Sequence, residues 1–444
     1  MAAQRIARAS ALPLADDLAA GGERFAWLDS AIGDAERGVR SILALELDPR
    51  AHLTPEDVAP GALAALDARF AAEAASGTAL VPAAPALGWV GYASYEAASL
   101  ADAGMPAARG EGALMECYAV EAAIVLEGHD AWIVARGATA AEAEASAAGW
   151  AGRAERARLR AASPAPLIRI SEADLRDWHA GAVGEVLDAI GRGRVYQACL
   201  TFPLRFEPVA SLWPHYLALR ERSPGDYSAY VRFADVEAAS TSPERLLRIE
   251  GRRVWSRPMK GTRRRGDTPE ADEALRASLQ ASEKDRAENV MIVDLVRNDL
   301  GRVSEVGSVR VPSLYEVERY ATVWQMTSTV EATLRSEVGP FEALGASFPP
   351  GSMTGAPKIS ACELIRRLER GPRGLYSGSV FWMGYDGRHT CSVVIRTLQA
   401  RAGEVRWDVG GGIVADSSVA DEWDEALAKA AALDALLPGG LGLG

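Results

Sequence analysis

From residue 172 onward the chain is written in short strand-forming runs gathered into groups, with amphipathic helical stretches between the groups. A helical period covers 172–192, 269–300, 357–370 and 419–436. Strand-type runs cover 194–206, a set from 227 to 257 folded around Glu250-Gly251, strands near 308–332, and three segments within 377–414. Strands that follow one another in runs, with helices set between the runs, predict an α+β fold of antiparallel sheets and not a doubly wound parallel sheet. The first 160 residues are rich in alanine: 61–76 and 138–162 read as helices, and 118–136 as a hairpin turning at Gly128-His129-Asp130. The stretch Ala161-Ala162-Ser163-Pro164-Ala165-Pro166 reads as a linker, which divides the chain into an N-terminal region, 1–162, and a second unit, 163–437.

Several function classes fall away on composition. With 48 Lys+Arg against 60 Asp+Glu the net charge is -12, a poor match for a phosphate backbone, so no nucleic-acid partner is expected. The longest uncharged run, between Glu73 and Glu96, is broken by Gly77, Pro82, Pro85, Gly88 and Gly91, so no membrane span is expected. The N-terminus lacks an uninterrupted apolar core before Asp16 and Asp17, so no secretory signal is expected. Cys117, Cys199, Cys362 and Cys391 are scattered, which suits free thiols in a reducing cytoplasm. The five histidines show no zinc-binding spacing.

Four constellations carry chemistry. The first is the run from Arg257 to Gly266: between Gly251 and Gly266 stand seven cations and no carboxylate. Such a run is ordinarily a solvated basic face. Lys260 is read as ending a strand, and Gly261 after it lets a ligand come close to the backbone. Crowded cations favour a neutral, nucleophilic amine. The second is Ser242-Pro243-Glu244-Arg245-Leu246, sixteen residues earlier, where Glu244 is placed to pass a proton to a leaving hydroxyl. Third, Glu288 lies on the long helical stretch, and Glu422 and Glu425 share one face of the last helix. Carboxylates from two helices, with neither His nor Cys, suit a hard cation such as Mg²⁺. Fourth, Gly410-Gly411-Gly412 follows a strand, and successive backbone N–H groups there can hold a carboxylate. Neither it nor the segment from Gly351 to Lys358 has the spacing of a nucleotide-binding loop.

Eight ordered segments, YQACLT (196–201), SPERLL (242–247), RPMKGTR (257–263), EKDRAENVMIVDLVRNDLGRV (283–303), PPGSMTGAPKISACELI (349–365), GLYSGSVFWMG (374–384), VVIRT (393–397) and GGGIVADSSVADEWDEALAK (410–429), resemble the chorismate-utilising enzymes. The resemblance covers about residues 165–437. The N-terminal region matches more loosely, through Phe25–Ser30 and Gly88–Tyr92, and resembles that of the anthranilate-forming members. It implies a layered α/β/β/α sandwich of largely antiparallel sheets, with the second unit as the chorismate-binding catalytic domain.

The resemblance also implies roles. Water-adding members carry a lysine base where this chain has Gln197, and anthranilate-forming members carry an alanine where it has Lys260. Together these place the chain with the members that aminate chorismate at C4. Amination at C2 with loss of pyruvate, and a catalytically silent chorismate-binding subunit, are the alternatives. In the C4 branch Lys260 attacks the ring while Glu244 protonates the leaving hydroxyl. Glu288, Glu425 and Glu422 hold Mg²⁺, and Gln197, Ser352, Tyr376, Arg396, Gly410, Gly411, Gly412 and Lys429 line the substrate site. Relatives often have a histidine in the stretch 322–326, where this chain has Gln325. With no glutamine-hydrolysing cysteine motif, ammonia is expected from a separate glutaminase subunit. No lyase domain is expected after the last helix.

Overall fold

A computed structural model describes residues 1–29, 40–75, 85–110, 112–160, 163–320, 323–438 and 440–441. Ser30, the Ala161-Ala162 part of the linker and Thr322 lie outside the described residues. Every strand ladder among the described residues is antiparallel. One sheet runs in the order Ala2–Arg5, Asp130–Ala135, Met115–Glu127, Ser41–Leu53, Phe25–Asp29, Tyr227–Arg232, Glu237–Ser242, Thr397–Arg401, Glu404–Ile413 and Gln197–Phe206. The second continues from Met115–Glu127 through Gly88–Ala93, Ser379–Gly384, Arg388–Ser392, Arg245–Glu250, Arg253–Arg257 and Val323–Thr333, which pairs with both Met259–Arg264 and Arg310–Arg319.

The long strand Met115–Glu127 belongs to both sheets because its pleat changes phase. Its pairing with Ser41–Leu53 slips around Leu45 and Glu121. A bulge of this kind turns the following side chains to the other face. Before it, Tyr118 and Val120 point inward; after it, Ala123 and Val125 do. That inner core is built without a helix residue, so it is the contact of sheet on sheet. The outward residues Ala122, Ile124 and Leu126 pack against helices that include Ala11–Ala20 and Ala140–Arg156. Met115, Cys117 and Ala119 pack against a different set, including Ala62–Ala75 and Glu283–Gly301. Helix, sheet, sheet, helix is therefore the order of layers, as the α/β/β/α expectation has it.

Most of the expected elements form. The long helical stretch 269–300 is two helices, Pro269–Ala281 and Glu283–Gly301, because Ser282 leaves the helical conformation and its hydroxyl caps the second by accepting from the Asp285 N–H. The region 377–414 holds four strands and not three. Helix 138–162 closes earlier, at Arg156. Strands from either side of the linker pair directly, Phe25–Asp29 with Tyr227–Arg232 and Gly88–Ala93 with Ser379–Gly384. The approach there is close. A Cβ on Gly91 would lie 2.1 Å from the Glu116 carbonyl oxygen and 2.7 Å from the Phe381 ring.

A buried ion pair joins the layers. Arg373, 2% exposed, uses all five of its guanidinium donors. Nε and one Nη2 donor reach the Glu369 carboxylate at 2.9 and 2.6 Å, the other Nη2 donor reaches the Cys199 carbonyl at 2.7 Å, and Nη1 reaches the Met353 carbonyl at 2.6 Å and the Ser377 hydroxyl at 3.2 Å. Glu369 also accepts from the Thr201 N–H and hydroxyl, both at 2.9 Å. Removing one member of such a pair leaves a buried charge unpaired, at a cost of about 3–5 kcal/mol. Arg373→Met should therefore lower the unfolding free energy in urea by that amount. Adding Glu369→Gln should restore part of the loss, and strictly additive losses would show that the two side chains are not coupled.

Candidate active site

Lys260 stands near the start of the strand Met259–Arg264, not at the end of one. The pairing partners are Met259 with Thr327 and Thr262 with Gln325, so Lys260 and Gly261 together stand opposite the single residue Met326. This is a bulge, and Gly261 meets its backbone demand with φ +77°. The helix beginning at Glu283 presses on the same point: a Cβ on Gly261 would lie 2.9 Å from the Asp285 side chain. Lys260 lines a cavity of about 870 Å³.

The opposite wall is glycine. Gly410, Gly411 and Gly412 end the strand Glu404–Ile413, and neighbours occupy the space their side chains would fill. A Cβ on Gly410 would lie 2.1 Å from the Leu200 carbonyl oxygen. One on Gly411 would lie 2.7 Å from Glu422 Oε2 and 3.6 Å from Glu425 Oε1. One on Gly412 would lie 2.3 Å from Gln197 Nε2 and 3.5 Å from Lys260 Nζ. Gln197 is thus the one expected site residue set behind the lining, against Gly412. It is 0% exposed, and neither polar atom of its amide has a hydrogen-bond partner among the described residues.

Glu244 enters the cavity from the link between strands Glu237–Ser242 and Arg245–Glu250. Its N–H donates to the Ser242 hydroxyl at 3.2 Å, and its carbonyl accepts from the Val393 N–H at 3.0 Å. The side chain, 5% exposed, accepts a 2.6 Å hydrogen bond from Ser352 Oγ. Burial pushes its carboxyl up to about 7, against the opposing pull of the Ser352 hydroxyl, Lys260 and Arg396. Arg396, also in the cavity lining, is itself pushed down by burial, which outweighs the attraction of Glu244. Tyr376 closes the same space, its phenol held well above the usual range by burial.

Glu288, Glu422 and Glu425 form the acidic side. Burial raises Glu288, and it raises Glu422 despite a 2.6 Å hydrogen bond from Ser417. Glu425 goes the other way: burial is outweighed by Lys429, whose ammonium donates to it and to the Gly410 carbonyl, both at 2.7 Å. Glu422 Oε2 is buried with no hydrogen-bond partner among the described residues. An orphaned carboxylate oxygen in an all-oxygen set is the environment a hard cation fits. Among the described residues, the single His/Cys/Asp/Glu set whose ligand atoms already lie within 4.8 Å of one another is elsewhere, at His52, Glu116 and Asp235. There the two ring nitrogens of His52 face different carboxylates, Glu116 at 3.6 Å and Asp235 at 3.9 Å, and Arg401 lies 3.8 Å from Asp235.

The structure corrects the reading of the cationic run. Arg252 pairs with Glu305, Arg253 with Glu331, Arg257 with Glu318, Arg263 with Asp285 and Arg265 with Asp272. The run is a set of ion pairs to other elements, and Lys260 acts electrostatically on the carboxylates Glu244, Glu288 and Glu425. Sequence reasoning passes over Thr262, Lys284 and Asp285, which also line the cavity. Lys284 is within its reach, since it stands four residues before Glu288 on one helix and so shares its face.

The chain belongs to the chorismate binding enzymes: the family's model matches residues 23–435, so the match takes in most of the N-terminal region as well. An aminodeoxychorismate synthase of Streptomyces griseus is 38% identical over 95% of this chain and 62% of its own length. An anthranilate synthase component 1 of Haloarcula marismortui is 43% identical over 58% of this chain and 53% of its own. This chain therefore spans roughly half to three-fifths of these relatives. Among solved structures, anthranilate synthase component I from Streptococcus pneumoniae superposes with a TM-score of 0.78 at 26% identity, over 88% of this chain and 91% of that one.

The raised Glu244 makes a stability prediction. The folded protein binds its proton more tightly than the unfolded chain, whose glutamates titrate near 4.3. The resulting stabilisation is complete below that value and is lost as pH rises through about 7. Glu244→Gln, which cannot ionise, should therefore be more stable than wild type at pH 8, by up to about 3 kcal/mol. The advantage should vanish near pH 4.5. Urea unfolding across that range measures it, and a constant difference would show that Glu244 is ionised throughout.

Proposed function

We propose that this chain is an aminodeoxychorismate synthase component I, converting chorismate and ammonia to 4-amino-4-deoxychorismate. The observation that carries the reading is one cavity with an amine, Lys260, and a carboxyl biased to its neutral form, Glu244. A nucleophile and a proton donor are what displacement of a ring hydroxyl needs. Lys260 attacks C2, the two ring double bonds shift, and the C4 hydroxyl leaves as water with the proton of Glu244. Ammonia then adds at C4, the double bonds return, and the Lys260 amine is expelled. Glu244 regains its proton from the added ammonium, so the net change is exchange of hydroxyl for amino with release of water. Arg396, Tyr376, Lys429 and the backbone of Gly410, Gly411 and Gly412 hold the enolpyruvyl group and its carboxylate, and Ser352 fixes the acid.

Glu288, Glu422 and Glu425 are the residues that would hold Mg²⁺, which when bound supplies positive charge for the ring carboxylate. Gln197, a neutral amide, cannot serve as the base that water addition requires. Ammonia is expected from a glutaminase partner outside residues 1–444, a reading supported by the four cysteines within them, which are buried with their thiols raised by that burial and so poorly suited to glutamine hydrolysis. Unpaired thiols also suit a cytoplasmic enzyme, and no described helix is long and apolar enough to cross a membrane. A nucleic-acid role loses its support with the pairing of the cationic run. The product leads to 4-aminobenzoate and folate.

The test is incubation with chorismate, Mg²⁺ and an ammonium salt, with the product identified by mass and ultraviolet spectrum. The expected product keeps the enolpyruvyl group and yields 4-aminobenzoate with an added lyase. Lys260→Ala should abolish it, and Glu244→Gln should slow it about 10²–10⁴-fold. Fluorescent anthranilate with released pyruvate, undiminished in Lys260→Ala, would replace this reading with C2 amination. Bound but unconverted chorismate, with ammonia or with a glutaminase partner, would point to the silent-subunit reading.

A further inference from the structure

We infer that Gln325 is a positioning residue for Lys260, locking the bulge that aims the lysine into the cavity; the inference rests on the reading of Lys260 just given. Gln325 stands directly across the ladder from Thr262 and is buried. Its amide is engaged at both ends by the two residues that follow Lys260. Nε2 donates to the Gly261 carbonyl at 2.8 Å, and Oε1 accepts from the Thr262 hydroxyl at 2.8 Å. A flipped amide would set Oε1 against the Gly261 carbonyl oxygen, so these two bonds define one orientation. The clamp sits at the place where the ladder is irregular and Gly261 takes φ +77°. From behind, the Asp285 side chain fills the space beside Gly261, so the bulge is held on both sides.

This role needs a donor and an acceptor on one side chain, with the reach of an amide. A carboxylate at 325 has no donor for the Gly261 carbonyl, and an apolar isostere has neither group. Gln325 lines the same cavity but has no acid or base to offer, and both polar atoms of its amide are engaged by Gly261 and Thr262, so its effect on turnover passes through where Lys260 points. Loss of that aim should slow chemistry while leaving chorismate binding nearly intact, since small displacements of a reacting group are costly to rate.

The experiment compares wild type, Gln325→Met and Gln325→Glu in three measurements. These are the chorismate Kd by equilibrium titration, kcat with ammonium, and the protection of Lys260 by saturating chorismate against trinitrobenzenesulfonate, read by peptide mass spectrometry. Both variants should hold Kd within about twofold, lose ~10–100-fold in kcat, and lose the protection of Lys260. Thr262→Val, which removes one of the two clamping bonds at an exposed residue, should move kcat and protection in the same direction by less. It carries the test if the Gln325 variants do not fold. Unchanged kcat and protection, or a Kd that rises as protection falls, would overturn the positioning role. Wild-type Lys260 left unprotected by bound chorismate would instead overturn the reading of Lys260, and the inference with it.

Discussion

The guanidinium of Arg373 and the carboxylate of Glu369 lie where five parts of the molecule meet. Through side chains they hold the strand Gln197–Phe206 at Cys199 and Thr201, and the turn Gly351–Met353 at Met353. Through the Arg373 backbone they reach further: its N–H and that of Gly374 donate to Glu96, and its carbonyl accepts from Gln399 and Arg406. A buried pair of this kind contributes little net energy over an apolar replacement. What it supplies is alignment, since five fixed donors admit one arrangement of their acceptors. The N-terminal segment, the last hairpin and the turn carrying Ser352 are therefore registered against one another at a point just outside the cavity.

The proposed chemistry depends on that registration at second hand. Ser352 stands beside Met353, whose carbonyl is held by Arg373, and Ser352 in turn holds the carboxyl of Glu244. Cys199 faces the cavity while its carbonyl is tied to the same guanidinium. Across the space, Lys260 is aimed by a bulge in a strand of the second sheet, and the glycine wall belongs to the first. The cavity thus lies between strands of two sheets, and Lys260 and Glu244 reach it from different elements.

Much of this is legible in the order of the residues alone. Grouped strands imply antiparallel layers, and the ordered motifs place Lys260, Glu244 and the acidic residues in one site. Three things are not legible there, each because it arises from tertiary contact. The early strands Phe25–Asp29 and Gly88–Ala93 are short and buried on both faces, so they show no clean alternation, and one of the two partners of each lies about two to three hundred residues away. The arginines of 252–265 read as a patch because their carboxylate partners sit on other elements. The bulge at Gly261 is a mismatch between two strands, which neither strand records alone.

The three glycines of the inner wall bear on how such a site can change. At 410, 411 and 412 the space for a side chain is already taken by a backbone carbonyl, by Glu422 and by Gln197. A side chain at 410 would meet fixed backbone, whereas one at 411 or 412 would have to displace the movable end of Glu422 or of Gln197. Change at the wall is therefore coupled to change at 422 and 197, which pack behind it. The wall is a surface of backbone whose shape is set from behind, while the side chains at 260 and 325 face it from across the cavity.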